Sequence, residues 1–268
     1  MKKPSVILVY LFLSMTAFGQ NFDTIPNKNS VISVKDSIVE NDGFNQILSK
    51  RTLKTHELWD ELLQNHVSNN GIVNYKSFKT EHNKLLDYIY VLSLMHKNHR
   101  FESLSKEEKL AFWINAYNAL TIDLILRNYP IKSIKDIKDP WKQRLWKLVD
   151  INYNLEEIEH DILRRMDEPR IHFAIVCASA SCPKLNNKAY TAENLETQLT
   201  QATKDFLSDS NRNSISKDYL ELSKIFKWFG YDFTKNDSLI DFLKMYSGVQ
   251  ISKDAKIKFK DYNWDLND

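Results

Sequence analysis

Cys177 and Cys182 are the only two cysteines in the chain, and they bracket a turn of small residues, Cys177-Ala178-Ser179-Ala180-Ser181-Cys182-Pro183. Three states of this pair would do different things. Closed, they form a small disulfide loop, the state an oxidising compartment favours. Open, the Cys177 thiolate could attack a carbonyl carbon if a histidine acted as its base. Otherwise they are inert thiols in a buried turn. Cys-x4-Cys is not a usual zinc spacing, so no metal site is expected. Ser179 and Ser181 add hydroxyls to the turn. Ile171 to Cys177 is almost continuously apolar with a β-branched bias and reads as a buried strand. Alternation along such a strand puts Cys177 on the face of Phe173 and Ile175 and His172 on the opposite face. The base would then come from elsewhere, with His160 the nearest alternative.

Other polar residues fall where the helical period calls for apolar ones. Asn115 projects with Ile122 and Leu126, and Asn118 sits one turn on beside Ile125. Each needs hydrogen-bond partners, either loops that it ties to the core or an oxyanion to which it donates. Glu159 lies between Leu155 and Leu163 inside an apolar stripe, with His160 at its edge. A carboxylate so placed is either half of a buried ion pair, with an arginine a natural partner, or a functional acid.

These residues need elements to hold them. Ser105-Lys106-Glu107-Glu108 is a capping box that opens a helix running to about Asn128, before Pro130. It is apolar all round, which predicts a buried central helix. Asn154 caps a second helix carrying Leu155, Ile158, Ile162 and Met166. Earlier helices are expected around Leu58–Leu63 and Leu85–Leu92, with a short strand at Ile72–Tyr75 between them. Glu193–Leu207 and Leu239–Tyr246 read as helices, Tyr219–Leu222 as a short strand or turn, and Val249–Phe259 as a possible edge strand. The fold class is α+β, helix-rich, one domain with a buried central helix and a small sheet.

The ends and the charge set the setting. Met1 to Gly19 has a basic start, a short apolar run and Ala17-Phe18-Gly19, the pattern of a signal peptide cleaved after Gly19. Residues 20–43 read as a flexible polar leader and 44–268 as the globular domain. No other apolar run approaches the ~20 residues of a membrane span, so a soluble exported protein, periplasmic or extracellular, is expected. The whole chain has 37 basic and 35 acidic residues, and discarding Lys2 and Lys3 balances them. A neutral chain has no net field for nucleic acid or an anionic membrane. With 5 glycines and neither phosphate-cradling glycine motif, no nucleotide cofactor is implied.

Phe112-Trp113-Ile114-Asn115-Ala116-Tyr117-Asn118-Ala119-Leu120, Ile158-Glu159-His160, Ile162-Leu163-Arg164, and His172-Phe173-Ala174 with Cys177, Ser181 and Pro183 together resemble the Domain-of-Unknown-Function 547 family. Leu222-Ser223-Lys224-Ile225-Phe226, Trp228 and Asp232-Phe233 are similar to its downstream signature, and Val73-Asn74-Tyr75 extends the likeness, which runs from about residue 55 to 250. The resemblance implies no agreed reaction. With the signal segment it implies an exported bacterial member. Asn115, Asn118, Glu159, His160, Cys177 and Ser181 fall on the family's motifs. The family often has glycine where this chain has Ala178, which implies a less extreme turn here. Some relatives have serine at the position of Cys182, which leaves Cys177 the more interesting sulfur.

The expected site lies where the central helix, the Glu159-His160 helix and the Cys177 loop converge. As an enzyme it would perform thiol-dependent acyl transfer or hydrolysis. Cys177 would be the nucleophile, His160 the base, Asn115 or Ser181 would orient the intermediate, and Glu159 would be a candidate acid. Asn118, His172 and Cys182 are candidate binding residues. The alternative is a non-catalytic module, stapled by a Cys177–Cys182 disulfide, that binds a small molecule or peptide. Thiol–disulfide exchange would need an exposed bond, and a buried strand leading into Cys177 argues against it.

Overall fold

Ser105 nucleates the helix on which the fold is built. Its hydroxyl accepts from the Glu108 N–H (3.1 Å) while the Glu108 carboxylate accepts from the Ser105 N–H (2.8 Å), the reciprocal cap that the sequence calls for. Every residue from Leu110 to Leu126 is buried. A helix lined with apolar groups on all sides has no solvent face to offer, so the other described elements pack around it.

The computed structural model describes residues 56–98, 101–148 and 150–268. The signal segment, the leader and the first residues of the expected domain lie outside the described residues. In chain order the helices are α1 (Glu57–His66), α2 (Tyr75–Thr80), α3 (His82–Lys97), the central α4 (Lys106–Asn128), α5 (Leu155–Glu157), α6 (Leu195–Ser208), α7 (Ile225–Trp228), α8 (Gly230–Phe233) and α9 (Leu239–Ser247). Strands β1 (Trp146–Leu148) and β2 (Ile151–Tyr153) form an antiparallel hairpin. In a second sheet, ordered β3-β4-β5, β3 (Ser214–Ile215) pairs antiparallel with β4 (Tyr219–Leu222), and β4 pairs parallel with the edge strand β5 (Lys256–Phe259). This is the helix-rich α+β domain expected. Among the described residues no helix is long and apolar enough to cross a membrane.

The sequence reading needs three corrections. Ile171–Cys177 is not a strand. Pro169–Phe173 is a 3-10 helix, started by the Glu168 side chain on the Arg170 N–H (3.1 Å) and by Pro169 at its first position, and an irregular stretch follows it. The segment is apolar throughout because it runs between two hydrophobic clusters. Ile171 belongs to the one around α4, and Phe173 packs on Phe206, Phe226 and Phe233 in the other. A short apolar run cannot be assigned by period alone. Second, the Asn154-capped helix is regular for one turn only. Ile158–Leu163 is a π turn and Arg164–Met166 a 3-10 turn ending at Asp167 in the left-handed region (φ 57°). Third, Ile72–Tyr75 is reduced to one bridge, Val67 to Val73, before Tyr75 opens α2.

The C-terminal tail threads between two loops. The Leu266 N–H donates to the Lys132 carbonyl (2.8 Å), and the Ala180 N–H donates to the Asp265 carbonyl (2.7 Å). This lays Tyr262 and Trp264 beside the cysteine turn.

Candidate functional site

The π turn, the cysteine turn, the loop at residues 135–142, α7 and the tail enclose a cleft of about 600 Å³. Glu159, His160, His172, Cys177 and Cys182 all line it. Five of the eight expected site residues therefore share one cavity.

The two cysteines are joined in a disulfide. Cys177 is half-buried, whereas Cys182 is 2% exposed. The Cys177 N–H donates to Cys182 Sγ at 3.0 Å, and the Ser179 and Tyr262 hydroxyls each lie 3.3 Å from that sulfur, with the Ser179 hydroxyl also 3.1 Å from the Tyr262 oxygen as an alternative acceptor for its single hydrogen. The same hydroxyls lie 3.2 and 3.3 Å from Cys177 Sγ. Burial pushes the Tyr262 phenol up to about 12, against the opposing pull of its bond with Ser179, so it keeps its proton. Arg212 holds the turn from outside through the carbonyls of Ala180 and Cys182. Ala178 takes a left-handed conformation (φ 59°). The turn is thus of the kind glycine normally serves, and the expectation of a milder turn is corrected.

The histidines are held differently. His172 Nε2 meets the Asp232 carboxylate at 2.8 Å, and its ring stacks on Phe229 with centroids 4.0 Å apart. A carboxylate accepts, so Nε2 carries a hydrogen. Asp232 is also gripped by Arg164 through both oxygens (2.6 and 2.9 Å). Burial would raise the Asp232 carboxyl, but the hydrogen bonds and charges of His172 and Arg164 outweigh it and hold the group well below the usual carboxylate range. His160 is exposed at the rim, and its Nδ1 lies 3.0 Å from Arg164 Nη1. Arginine only donates, so His160 Nδ1 is already engaged as an acceptor. The imidazole oriented by a carboxylate is therefore that of His172, which lines the same cleft as Cys177. The opposite-face argument ends with the strand that supported it.

Glu159 is 8% exposed and, among the described residues, has no ion-pair partner. Its Oε2 accepts instead from the Tyr117 hydroxyl at 3.0 Å. Burial first, and then this carboxylate, push the Tyr117 phenol well above its ordinary value, so Tyr117 stays a donor. The arginine one turn on is committed to Asp232.

Asn115, Asn118 and Ser181 do not line the cleft. Asn115 donates to the Tyr190 carbonyl (2.8 Å) and accepts from the Tyr190 N–H (2.9 Å). Asn118 does the same between the Ala174 carbonyl (2.9 Å) and the Val176 N–H (3.0 Å). Both carboxamides are spent on backbone, one on each of two loops. The Ser181 hydroxyl accepts from the Asn263 N–H (2.8 Å), fixing the tail. Asp232, Tyr262, Trp264 and Trp141 were not singled out as site residues. Tyr262-Asn263-Trp264 places two aromatics at alternate positions, a period-two signal in a tail whose edge strand was placed earlier in the chain. Among the described residues no group of three or more His, Cys, Asp or Glu side chains could hold a metal ion.

The fold and the cleft define a helix-rich α+β protein with a disulfide in the lining of an aromatic-walled pocket. Residues 101–207 match the model of a family described as Protein of unknown function, DUF547, which supports the resemblance over the stretch carrying α4, the π turn and the cysteine turn. Among curated proteins and solved structures nothing matches.

Proposed function

We propose that the protein is an exported binding module whose cleft takes a ring-bearing small molecule or peptide side chain, with the Cys177–Cys182 disulfide as its staple. One observation carries this reading. Trp141, Trp228, Tyr262 and Trp264 form a continuous aromatic wall, with centroids 4.6 to 5.9 Å apart, along a cavity of about 600 Å³. That volume is within the ~300–1,000 Å³ of ordinary ligand pockets. Trp228 is 46% exposed, a large apolar area to leave in water unless something covers it. Lys135, Lys138 and Lys142 on the cleft are balanced by Asp139, Glu156 and Glu159, which suits a neutral or zwitterionic ligand such as a peptide. Acyl transfer by Cys177 is the weaker reading, because the disulfide takes the thiol it would need and His160 Nδ1 is occupied. An oxidising exported location agrees with a closed disulfide.

The test is titration of the oxidised protein with phenylalanyl-alanine, alanyl-alanine and benzyl alcohol, following tryptophan fluorescence. A saturable change with the ring-bearing probes, weakened about tenfold by Trp228→Ala, is expected from the loss of one aromatic contact of ~1.5 kcal/mol. Absence of saturation with every ring-bearing probe would sink the reading.

A further inference from the structure

We propose that the Cys177–Cys182 disulfide is itself a reaction centre, which oxidises thiols delivered to the cleft, either a small-molecule thiol or the cysteine of a peptide. This rests on the cleft being a binding site, and it adds a reaction to it.

The two sulfurs are unequal. Cys177 is half-buried on the cleft, while Cys182 is enclosed. An incoming thiolate therefore meets Cys177 Sγ. The new bond joins the substrate sulfur to Cys177, the Cys177–Cys182 bond breaks, and its electron pair leaves on Cys182. The leaving sulfur is the one that the Cys177 N–H reaches, at 3.0 Å, and the Ser179 and Tyr262 hydroxyls, 3.2 to 3.3 Å from both sulfurs, are placed to turn to it as its charge develops. Donors to the charged form stabilise a thiolate and make it a better leaving group. Because Tyr262 keeps its proton, it remains a donor throughout. Arg212, ion-paired with Asp209, braces the same turn through the Cys182 and Ala180 carbonyls and so holds the donors in place.

A second substrate thiolate then attacks the substrate sulfur of the mixed disulfide and displaces Cys177 as its thiolate. Two substrate thiols become one disulfide, two electrons pass to the protein, and the cystine becomes a dithiol. Further turnovers need a more oxidising disulfide as co-reactant to restore the closed form. A single stoichiometric turnover needs none.

A staple made only for stability would be shielded from thiols until the protein unfolded. The oxidised protein, kept folded, is incubated with glutathione at up to about 10 mM, and the fraction reduced is read by alkylation and mass. The expected result is reduction without loss of the folded circular-dichroism signal. Tyr262→Phe and Ser179→Ala should each move the equilibrium about five- to tenfold toward the disulfide, about 20–30 mV at 30 mV per tenfold. Cys182→Ser should capture oxidised glutathione on Cys177, while Cys177→Ser captures it on Cys182 at least about ten times more slowly. Resistance to glutathione in the folded protein, unchanged equilibria in both hydroxyl variants, or faster capture on Cys182 would each overturn the proposal. Phenylmethanethiol compared with 2-mercaptoethanol separates the two readings. Faster reduction by the ring-bearing thiol supports both the cleft and the chemistry. Equal rates with the donor effects intact would leave the exchange centre standing and remove the recognition of rings.

Discussion

Ala178 is where one residue type decides how tight the cysteine turn can be. An L-residue in the left-handed region costs about 1–2 kcal/mol, and Ala178 bears that cost while fully buried. Glycine would relieve the strain. It would also give up a buried methyl of about 0.8 kcal/mol and add about 0.4–1 kcal/mol of unfolded-chain freedom. These effects nearly cancel, so Ala178→Gly should change the unfolding free energy by less than about 1 kcal/mol. Ala178→Val adds branching where neither the backbone nor the packing admits it, and it should destabilise by about 3 kcal/mol. Urea unfolding of the oxidised variants reads both. A glycine variant stabilised by about 2 kcal/mol or more would mean that the methyl contributes nothing to packing. Such a balance makes alanine tolerable at a position where the resembling family often has glycine.

At the scale of elements, α4 acts as a clamp rail. Asn115 and Asn118 each fasten one loop to it by a paired donor and acceptor. Asn118→Ala leaves the Ala174 carbonyl and the Val176 N–H without their partner in a dry core, which should cost about 3 kcal/mol. Asn118→Asp keeps the acceptor but sets a charged oxygen against the Ala174 carbonyl, so it should be no better than alanine. If the aspartate variant matched wild type in thermal unfolding, the clamp would not depend on the amide donor. The sequence made this rail legible, because seventeen consecutive buried positions on one helix leave any amide among them conspicuous. It also exposed Glu159, since its neighbours Leu155 and Leu163 are buried whichever helical pitch connects them. It misled at Ile171–Cys177, where packing between two clusters imitates the uniform hydrophobicity of a buried strand. The cleft's other half was not legible at all. Tyr262 and Trp264 reach the cysteine turn from 80 to 87 positions downstream in the chain, and no local period encodes such a meeting.

Acid should weaken the whole molecule over two pH windows, because its perturbed groups titrate separately. His56 is buried with its Nδ1 on the Tyr88 hydroxyl (2.7 Å), and burial lowers its pKa to about 4. The unfolded chain binds that proton near pH 6.5, so the contribution of neutral His56 is fully present above that pH and is lost as pH falls toward 4. The second window lies lower. The Arg170 hydrogen bonds, outweighing burial, bring Glu196 down to about 2, and Asp232 is also depressed by its partners. Their contributions are present above the ordinary carboxylate range near pH 4 and disappear as pH falls through the folded values. Melting temperature should therefore decline gently from pH 6.5 to 4 and again from about 4 to 2. His56→Gln, which stays neutral and can still bond Tyr88, should flatten the first decline and leave the second. Asp232→Asn should leave the first decline and lessen the second, of which the Glu196 share remains. It should lower stability at pH 6 by about 1–2 kcal/mol through its weakened bonds to Arg164 and His172, and the gap to wild type should narrow progressively as pH falls below the ordinary carboxylate range. A glutamine variant that retains the full decline above pH 4 would show that another group, not the imidazole on Tyr88, takes up the first proton.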